Sequence, residues 1–109
     1  MTRVVCDVPR TLLISANDRV HWREKARRTK VLRVLGHYAV KVGTASHESC
    51  TLTITVTYPP LARRRDASNL APTVKGLLDG IVDAGLLPDD NDRVITATTY
   101  RADTCPGTV

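Results

Sequence analysis

The sequence predicts an α+β domain in which a small mixed β-sheet packs against two helices, in the order strand, long helix, strand, helix, strand. Three patterns support this class: residues 19–35 lack proline and glycine, residues 51–58 alternate strictly, and a helical pattern follows residue 69. Strand-helix-strand connections usually place helices against a sheet. We therefore expect one domain at residues 1–101 and a mobile tail at 102–109.

The first strand and the long helix come from the first forty residues. Short β-prone runs at residues 4–6 and 12–14 flank Pro9 and predict an edge strand or a bent pair. The helix is expected over about residues 19–42. Its apolar positions at three-to-four spacing predict the core face, namely Val31, Leu35, Tyr38 and Val42. Its other sides are crowded with cations, namely Arg19, Arg23, Lys25, Arg27, Arg28, Lys30 and Arg33.

The second strand, the second helix and the last strand follow in turn. Residues 51–58 carry threonine at every other position, so the apolar side chains between them face one side. Asn69 is a candidate N-cap, and Pro72 is tolerated in the first turn that follows. An apolar stripe then continues to Gly85, which marks the end of the helix. Residues 94–100 predict the last strand.

Composition limits the function classes. Sixteen lysines and arginines against eleven acids give a formal charge of +5 and a pI near 9.5, which favours a polyanionic partner. The three cysteines and three histidines lack the spacing of a zinc site. No segment has the length of a signal sequence or membrane span. We expect a cytoplasmic protein with reduced thiols, no membrane partner and no small-molecule cofactor.

The segment most informative about function joins arginines, a lysine and carboxylates. Arg63, Arg64 and Arg65 precede Asp66, and Lys75 and Asp79 follow four residues apart on one edge of the second helix. The turn after that helix holds Asp89, Asp90 and Asp92. Clustered carboxylates repel one another unless a cation offsets the repulsion, and an all-oxygen set suits Mg²⁺ or Mn²⁺.

Geometry restricts how this site can form. A helix of some fifteen residues is about 20 Å long, so the turn must fold back along it for Asp66 and Asp90 to meet. In that case Lys75 stabilises charge on a phosphoryl group, and the three arginines hold the flanking phosphates. Taken singly, each feature is also an ordinary helix cap, a surface ion pair or a solvated turn. Trp22, the one tryptophan, fits a core anchor or a base-stacking side chain, and we expect the core.

Four stretches of the chain form a recognisable set: N-x-R-x-H-W at residues 17–22, R-R-R-D-A-S-N-L at 63–70, K-G-L-L-D-G at 75–80 and L-L-P-D-D-N-D-R-V at 86–94. Together they resemble the signature of RusA-type endodeoxyribonucleases, the Holliday junction resolvases common in phages and prophages. The similarity spans about residues 17–94. It implies a RusA-like fold and a homodimer that makes paired nicks in four-way DNA junctions with Mg²⁺ or Mn²⁺.

The resemblance also implies roles for individual residues. Matching positions make Asp66, Lys75 and Asp90 catalytic. The metal ligands are expected among Asp66, Asp90, Ser68, Asp89 and Asp79. DNA contacts are expected from Arg19, His21, Trp22, Lys25, Arg28, Arg63, Arg64, Arg65 and Asn69.

One position departs from the family pattern. Ser68 stands where the family usually has aspartate, so a neutral hydroxyl replaces a negative ligand. Either serine and a water complete the metal shell, or Asp79 or Asp92 compensates, or the chain binds junctions better than it cuts them. The alternative to a nuclease is therefore a non-catalytic or weakly catalytic protein that binds branched DNA. A third possibility is a small basic interaction module in which the aspartates are only caps and turns.

Overall fold

The structure, a computed structural model, describes residues 2–16, 19–58 and 67–104. These residues form a small α+β domain with two α-helices and two parallel strands. The elements are helix α1 (Trp22–Ala39), strand β1 (Cys50–Tyr58), helix α2 (Ala71–Asp83) and strand β2 (Ile95–Thr104). A 3₁₀ helix precedes each α-helix, at Arg10–Leu12 and Ala67–Leu70. The predicted fold class is confirmed at this level.

The two strands pair in parallel, with Leu52 opposite Thr98 and Ile54 opposite Tyr100. Parallel neighbours need a crossover connection, and α2 provides it. The alternation predicted for β1 is confirmed, because its threonines are exposed and the apolar residues between them are half-buried. Strand β2 extends to Thr104, so residues 102–104, which were predicted to begin a mobile tail, are part of the sheet, and the rest of the predicted tail lies outside the described residues. The described part of the chain contains no third strand, so the mixed sheet is not found there.

The strand predicted around Pro9 is wrong for the described residues. Pro9 fixes its own φ and begins a 3₁₀ turn, which the amide of Leu12 closes by donating to the Pro9 carbonyl at 2.9 Å. Leu12 and Ile14 are buried, so these β-prone residues are core anchors. The amide and carbonyl of Ile14 bond to the hydroxyl of Thr73 in α2, and a neighbouring strand is not needed to satisfy them.

The core face of α1 differs from the prediction by one helical position. Leu32 and Gly36 are buried, whereas Tyr38 is 79% exposed and Val42 is fully exposed beyond the end of the helix. The cause is a close crossing of the two helices at glycine. A Cβ atom on Gly36 would lie 2.1 Å from the Leu77 carbonyl oxygen of α2. A pattern of large apolar residues does not reveal such a contact.

The main core lies between the N-terminal segment and the helices. Leu12, Ile14 and Leu32 form it, and Leu35 and Leu77 pack at its edge. The sheet contributes less, since its apolar side chains are only half-buried. Within the described ranges, neither helix is both long and apolar enough to cross a membrane. The arrangement leaves a gap between α2 and the sheet, and the candidate site lies there.

Candidate functional site

Lys75 bridges two carboxylates beside the gap between α2 and the sheet. Its Nζ atom donates to Oδ1 of Asp79 at 3.1 Å and to Oδ2 of Asp90. The first contact is the i,i+4 pair predicted from the sequence, because Lys75 and Asp79 lie one turn apart on α2. The second contact joins residues fifteen positions apart. The turn after α2 therefore folds back along the helix as far as its second turn.

The fold-back depends on the end of α2 and on hydrogen bonds within the turn. Gly85 has φ +87°, and its amide donates to the Val82 carbonyl, which reverses the chain at the predicted position. Oδ1 of Asp89 accepts from the Asp90 amide at 2.7 Å. Oδ1 of Asn91 accepts from the amides of Arg93 and Val94 at 3.0 and 3.2 Å. Asp89, a predicted metal ligand, thus helps to hold the backbone that presents Asp90.

The ion pairs shift the titration of both partners. The hydrogen bond from Lys75, followed by its charge, holds the pKa of Asp90 below the usual value against an opposing effect of burial. The hydrogen bond to Asp90 likewise raises the pKa of Lys75. Both groups stay charged across the ordinary pH range. Lys75 therefore presents a protonated amine, a donor suited to a phosphate oxygen.

A cleft of about 340 Å³ opens between α2 and the sheet. Ile54, Val74 and Leu78 form apolar walls, and Lys75, Asp90 and Asp92 contribute charge. Tyr100 also lines the cleft, opposite Ile54 in the register of the strands. Sequence reasoning did not single out Tyr100 as a site residue. The alternation of β1 in the sequence indicates that Ile54 lies on the inner face of the sheet. Only the strand register shows that Tyr100 lies on the same face.

The predicted metal site is partly outside the described residues, because Asp66 is not among them and neither are Arg63, Arg64 and Arg65. Within the described ranges, no three histidine, cysteine or acidic side chains converge. Asp79 and Asp90 share Lys75 instead. Their carboxylate oxygens are the donor type that Mg²⁺ or Mn²⁺ takes, and such ions use one or two protein carboxylates beside waters and phosphate oxygens. Asp90 and Asp79 fit that requirement, with Asp66 as the predicted further ligand.

The residues just before α2 differ from the sequence-based expectation. Ser68 is exposed in the 3₁₀ turn that leads into the helix. Asn69 does not cap α2, because the N-cap position is Leu70 and no side chain bonds there. The backbone carbonyl of Asn69 instead accepts from the amide of Ala16 at 2.7 Å. Pro72 lies in the first turn as predicted.

The predicted cationic DNA contacts on α1 and just before it fall into two groups: those without an acidic partner among the described residues and those that are engaged. Arg19 and Lys25 are exposed and pair with no described acid. Arg28 is half-buried, where it bonds to Glu24 and donates to the Leu13 carbonyl at 3.0 Å. Hydrogen bonds from Arg27 and Arg28 lower the pKa of Glu24 to about 2. Arg28 is thus a link between α1 and the N-terminal segment.

The start of α1 carries the other two predicted contacts. His21 is the N-cap, and its Nδ1 accepts from the Arg23 amide at 3.2 Å. Trp22 is 68% exposed, so the expectation that it anchors the core is wrong.

No family model, curated protein or solved structure matches this chain.

Proposed function

We propose that the chain is a metal-dependent, structure-selective endodeoxyribonuclease that resolves four-way DNA junctions, as its resemblance to RusA-type enzymes implies. The contact between Lys75 and Asp90 carries the proposal. It joins two residues to which the resemblance assigns catalytic roles, although they come from different elements of the chain. It also brings Asp90 beside the second turn of α2, four residues and about 6 Å along the helix axis from Ala71, which supports the predicted fold-back of the turn toward Asp66, a residue outside the described ranges.

The chemistry follows from the charges on these side chains. A bound Mg²⁺ or Mn²⁺ supplies a polarised scissile phosphate and a bound water of lowered pKa. Asp90 and Asp79, with Asp66, are the residues that would hold the ion. An ammonium has three N–H donors, and two of those on Lys75 are directed to Asp79 and Asp90. The third is available to a phosphoryl oxygen, where a fixed positive charge stabilises the negative charge that develops during hydrolysis.

Substrate binding requires positive charge around this centre. Arg63, Arg64 and Arg65 come directly before Asp66 in the sequence, and Arg19, just before α1, and Lys25, within α1, are exposed. Such cations hold backbone phosphates and contribute affinity that falls with salt. A homodimer would present one such site to each of two opposed strands, which matches the two-fold symmetry of a junction.

A second candidate function is favoured by the same ion pairs. Lys75 already offsets the charge of both Asp79 and Asp90, and Ser68 offers only a hydroxyl where the family pattern has a carboxylate. Paired carboxylates have less need of a divalent ion. On this basis the chain would bind junctions without cutting them, or cut them weakly.

A nicking assay on a synthetic four-way junction, with Mg²⁺ or Mn²⁺, tests the nuclease. Asp90→Asn should abolish cutting and leave junction binding unchanged or tighter, because removing a carboxylate does not weaken contacts to phosphate. Asp83→Asn is the matched control, since Asp83 is also on α2 but pairs with Arg33 of α1, at 2.8 Å between Nη2 and Oδ1. This control should still cut.

Two results would contradict the proposal. Absence of nicking by the parent protein with both metals would contradict the nuclease function and favour the junction-binding function. Loss of junction binding in Asp90→Asn would contradict the role given to that carboxylate. Titration calorimetry with Mn²⁺ separates the two candidates directly, because a pure binder has no saturable metal site.

A further inference from the structure

Trp22 is a large aromatic side chain exposed at the beginning of α1. Its exposed fraction is 68%, and it belongs to no buried cluster. The ring of His21 stacks near it, with centroids 5.7 Å apart and planes inclined by 27°. The guanidinium carbon of Arg23 lies 5.2 Å from the centroid of the indole. Both neighbours are themselves exposed, so an incoming planar group can reach the indole from solvent beside them.

The surrounding segment concentrates the positive charge of the chain. Residues 19–30 contain six lysines and arginines and one glutamate, a net charge of +5, and the remaining ten cations and ten acids cancel. Among the described residues, the cations that pair with Glu24 are Arg27 and Arg28. The other four are exposed and have no acidic partner among the described residues, namely Arg19, Arg23, Lys25 and Lys30. The segment therefore carries cations on both sides of Trp22 in sequence that no acid in the described part of the chain neutralises.

We propose that Trp22 is a stacking site for an unpaired nucleobase, with His21 and Arg23 as its flanking contacts. The inference rests on the nucleic-acid part of the proposed function and adds a partner to it: a single-stranded stretch whose bases are accessible, such as one at an opened branch point. Single strands bind where aromatic faces take the bases and nearby cations follow the phosphates. Arginine next to an indole strengthens such a site.

The pattern of exposed side chains along α1 favours a nucleic acid over a protein partner at this position. A protein-binding surface on a helix usually presents adjacent apolar positions. The next large exposed apolar residue on α1 is Val31, nine residues after Trp22. Lys25 lies one turn along the same side of the helix instead. An isolated aromatic ring among cations complements a base on a charged backbone.

Because Trp22 is the only tryptophan, its fluorescence reports on this site alone. The full chain is titrated in EDTA with a single strand of about 12 nucleotides, a blunt duplex of equal length and an abasic single strand. Stacking predicts quenching by the single strand and none by the abasic strand. Trp22→Ala should weaken single-strand binding roughly 5- to 150-fold, the range for one stacked base, and leave duplex binding within about twofold.

Two variants control this result. Tyr38→Ala removes another exposed aromatic residue from the far end of the same helix and should change neither affinity. Trp22→Phe should restore part of the single-strand affinity, because a smaller aromatic face remains. Circular dichroism should show the same fold for all three variants, since both side chains are exposed.

The outcomes distinguish failure of this inference from failure of the proposed function. Equal quenching by the abasic strand would show that the strand contacts this site through its phosphates and not its bases, which would overturn the stacking role. Emission that depends on protein concentration, with no response to DNA, would assign Trp22 to a contact between copies and also overturn it. If the protein binds junctions but the fluorescence of Trp22 does not change, only the stacking inference is contradicted. If the protein binds none of the DNAs, the proposed function is contradicted as well.

Discussion

Thr73 makes both backbone hydrogen bonds of Ile14 through one hydroxyl. Its Oγ1 atom accepts from the Ile14 amide at 2.8 Å and donates to the Ile14 carbonyl at 2.9 Å. Both residues are buried, with exposed fractions of 3% and 2%. Helix α2 thus supplies the partners that a neighbouring strand would give. This contact fixes the N-terminal segment against the helix that carries Lys75.

Thr73→Val should lower the free energy of unfolding by about 2–6 kcal/mol. Valine keeps the shape of threonine but leaves a buried N–H and a buried C=O without partners, at about 1–3 kcal/mol each. Thr73→Ser keeps the hydroxyl and loses one methyl group, for about 1 kcal/mol. Denaturant unfolding measures both. A valine variant as stable as the serine variant would mean that these backbone groups find other partners.

The sequence predicted the local elements better than their contacts. The alternation of β1, the extent of α2 and the pair Lys75–Asp79 follow from spacings within one element, and the structure contains all three. The buried face of α1 was predicted incorrectly because Gly36 makes the contact with α2. A pattern of apolar side chains does not include glycine, so it does not predict a contact made by the glycine backbone. The contact between Lys75 and Asp90 depends on the turn between them, whose backbone path no residue periodicity specifies.

Gly80→Ala should destabilise the protein although alanine is the better helix former. A Cβ atom at Gly80 would lie 1.9 Å from the backbone carbonyl oxygen of Arg33, so the two helices would have to separate. The gain in helix propensity is only about 1 kcal/mol and does not offset that separation. We expect a clear fall in Tm, measured by thermal unfolding.

Gly43→Ala is the control for that experiment. Gly43 has φ +86°, and no heavy atom of the described residues lies within 4 Å of a Cβ placed there, so the substitution costs only the backbone strain of about 1–2 kcal/mol. If Gly80→Ala were as stable as the parent, the close approach of α1 and α2 would be contradicted.

Lys75→Met should raise the affinity for Mn²⁺ while it lowers junction cutting. In the structure the amine contacts the oxygens of Asp79 and Asp90, and on the proposed function a divalent ion would compete with it for them. Removing the amine leaves two carboxylates without their partner, which favours a cation. Calorimetry measures the affinity, and Arg33→Met is the control because it breaks an ion pair outside the cleft. An unchanged Mn²⁺ affinity in Lys75→Met would indicate that these carboxylates are not metal ligands.

The pair of Lys75 and Asp90 should give a stability contribution with two pH limits. The pKa of Asp90 is lowered, so its share is present above the ordinary aspartate value near 3.9 and is lost as pH falls through the lowered pKa. The pKa of Lys75 is raised, so its share is present below about 10.4 and is lost as pH rises through the raised pKa. Because the Lys75 side chain is 59% exposed, the plateau between these limits should not exceed about 1 kcal/mol.

The difference in unfolding free energy between the parent and Lys75→Met, followed across pH, measures this window. Carboxyl resonances followed by NMR should also show the midpoint of Asp90 moving upward in Lys75→Met, because its hydrogen-bond donor is gone. The midpoint of Glu24 provides an internal reference. It should stay at about 2 in both proteins, since Arg27 and Arg28 hold it and neither contacts the site. An Asp90 midpoint that does not respond to the substitution would mean that the ion pair does not form in solution.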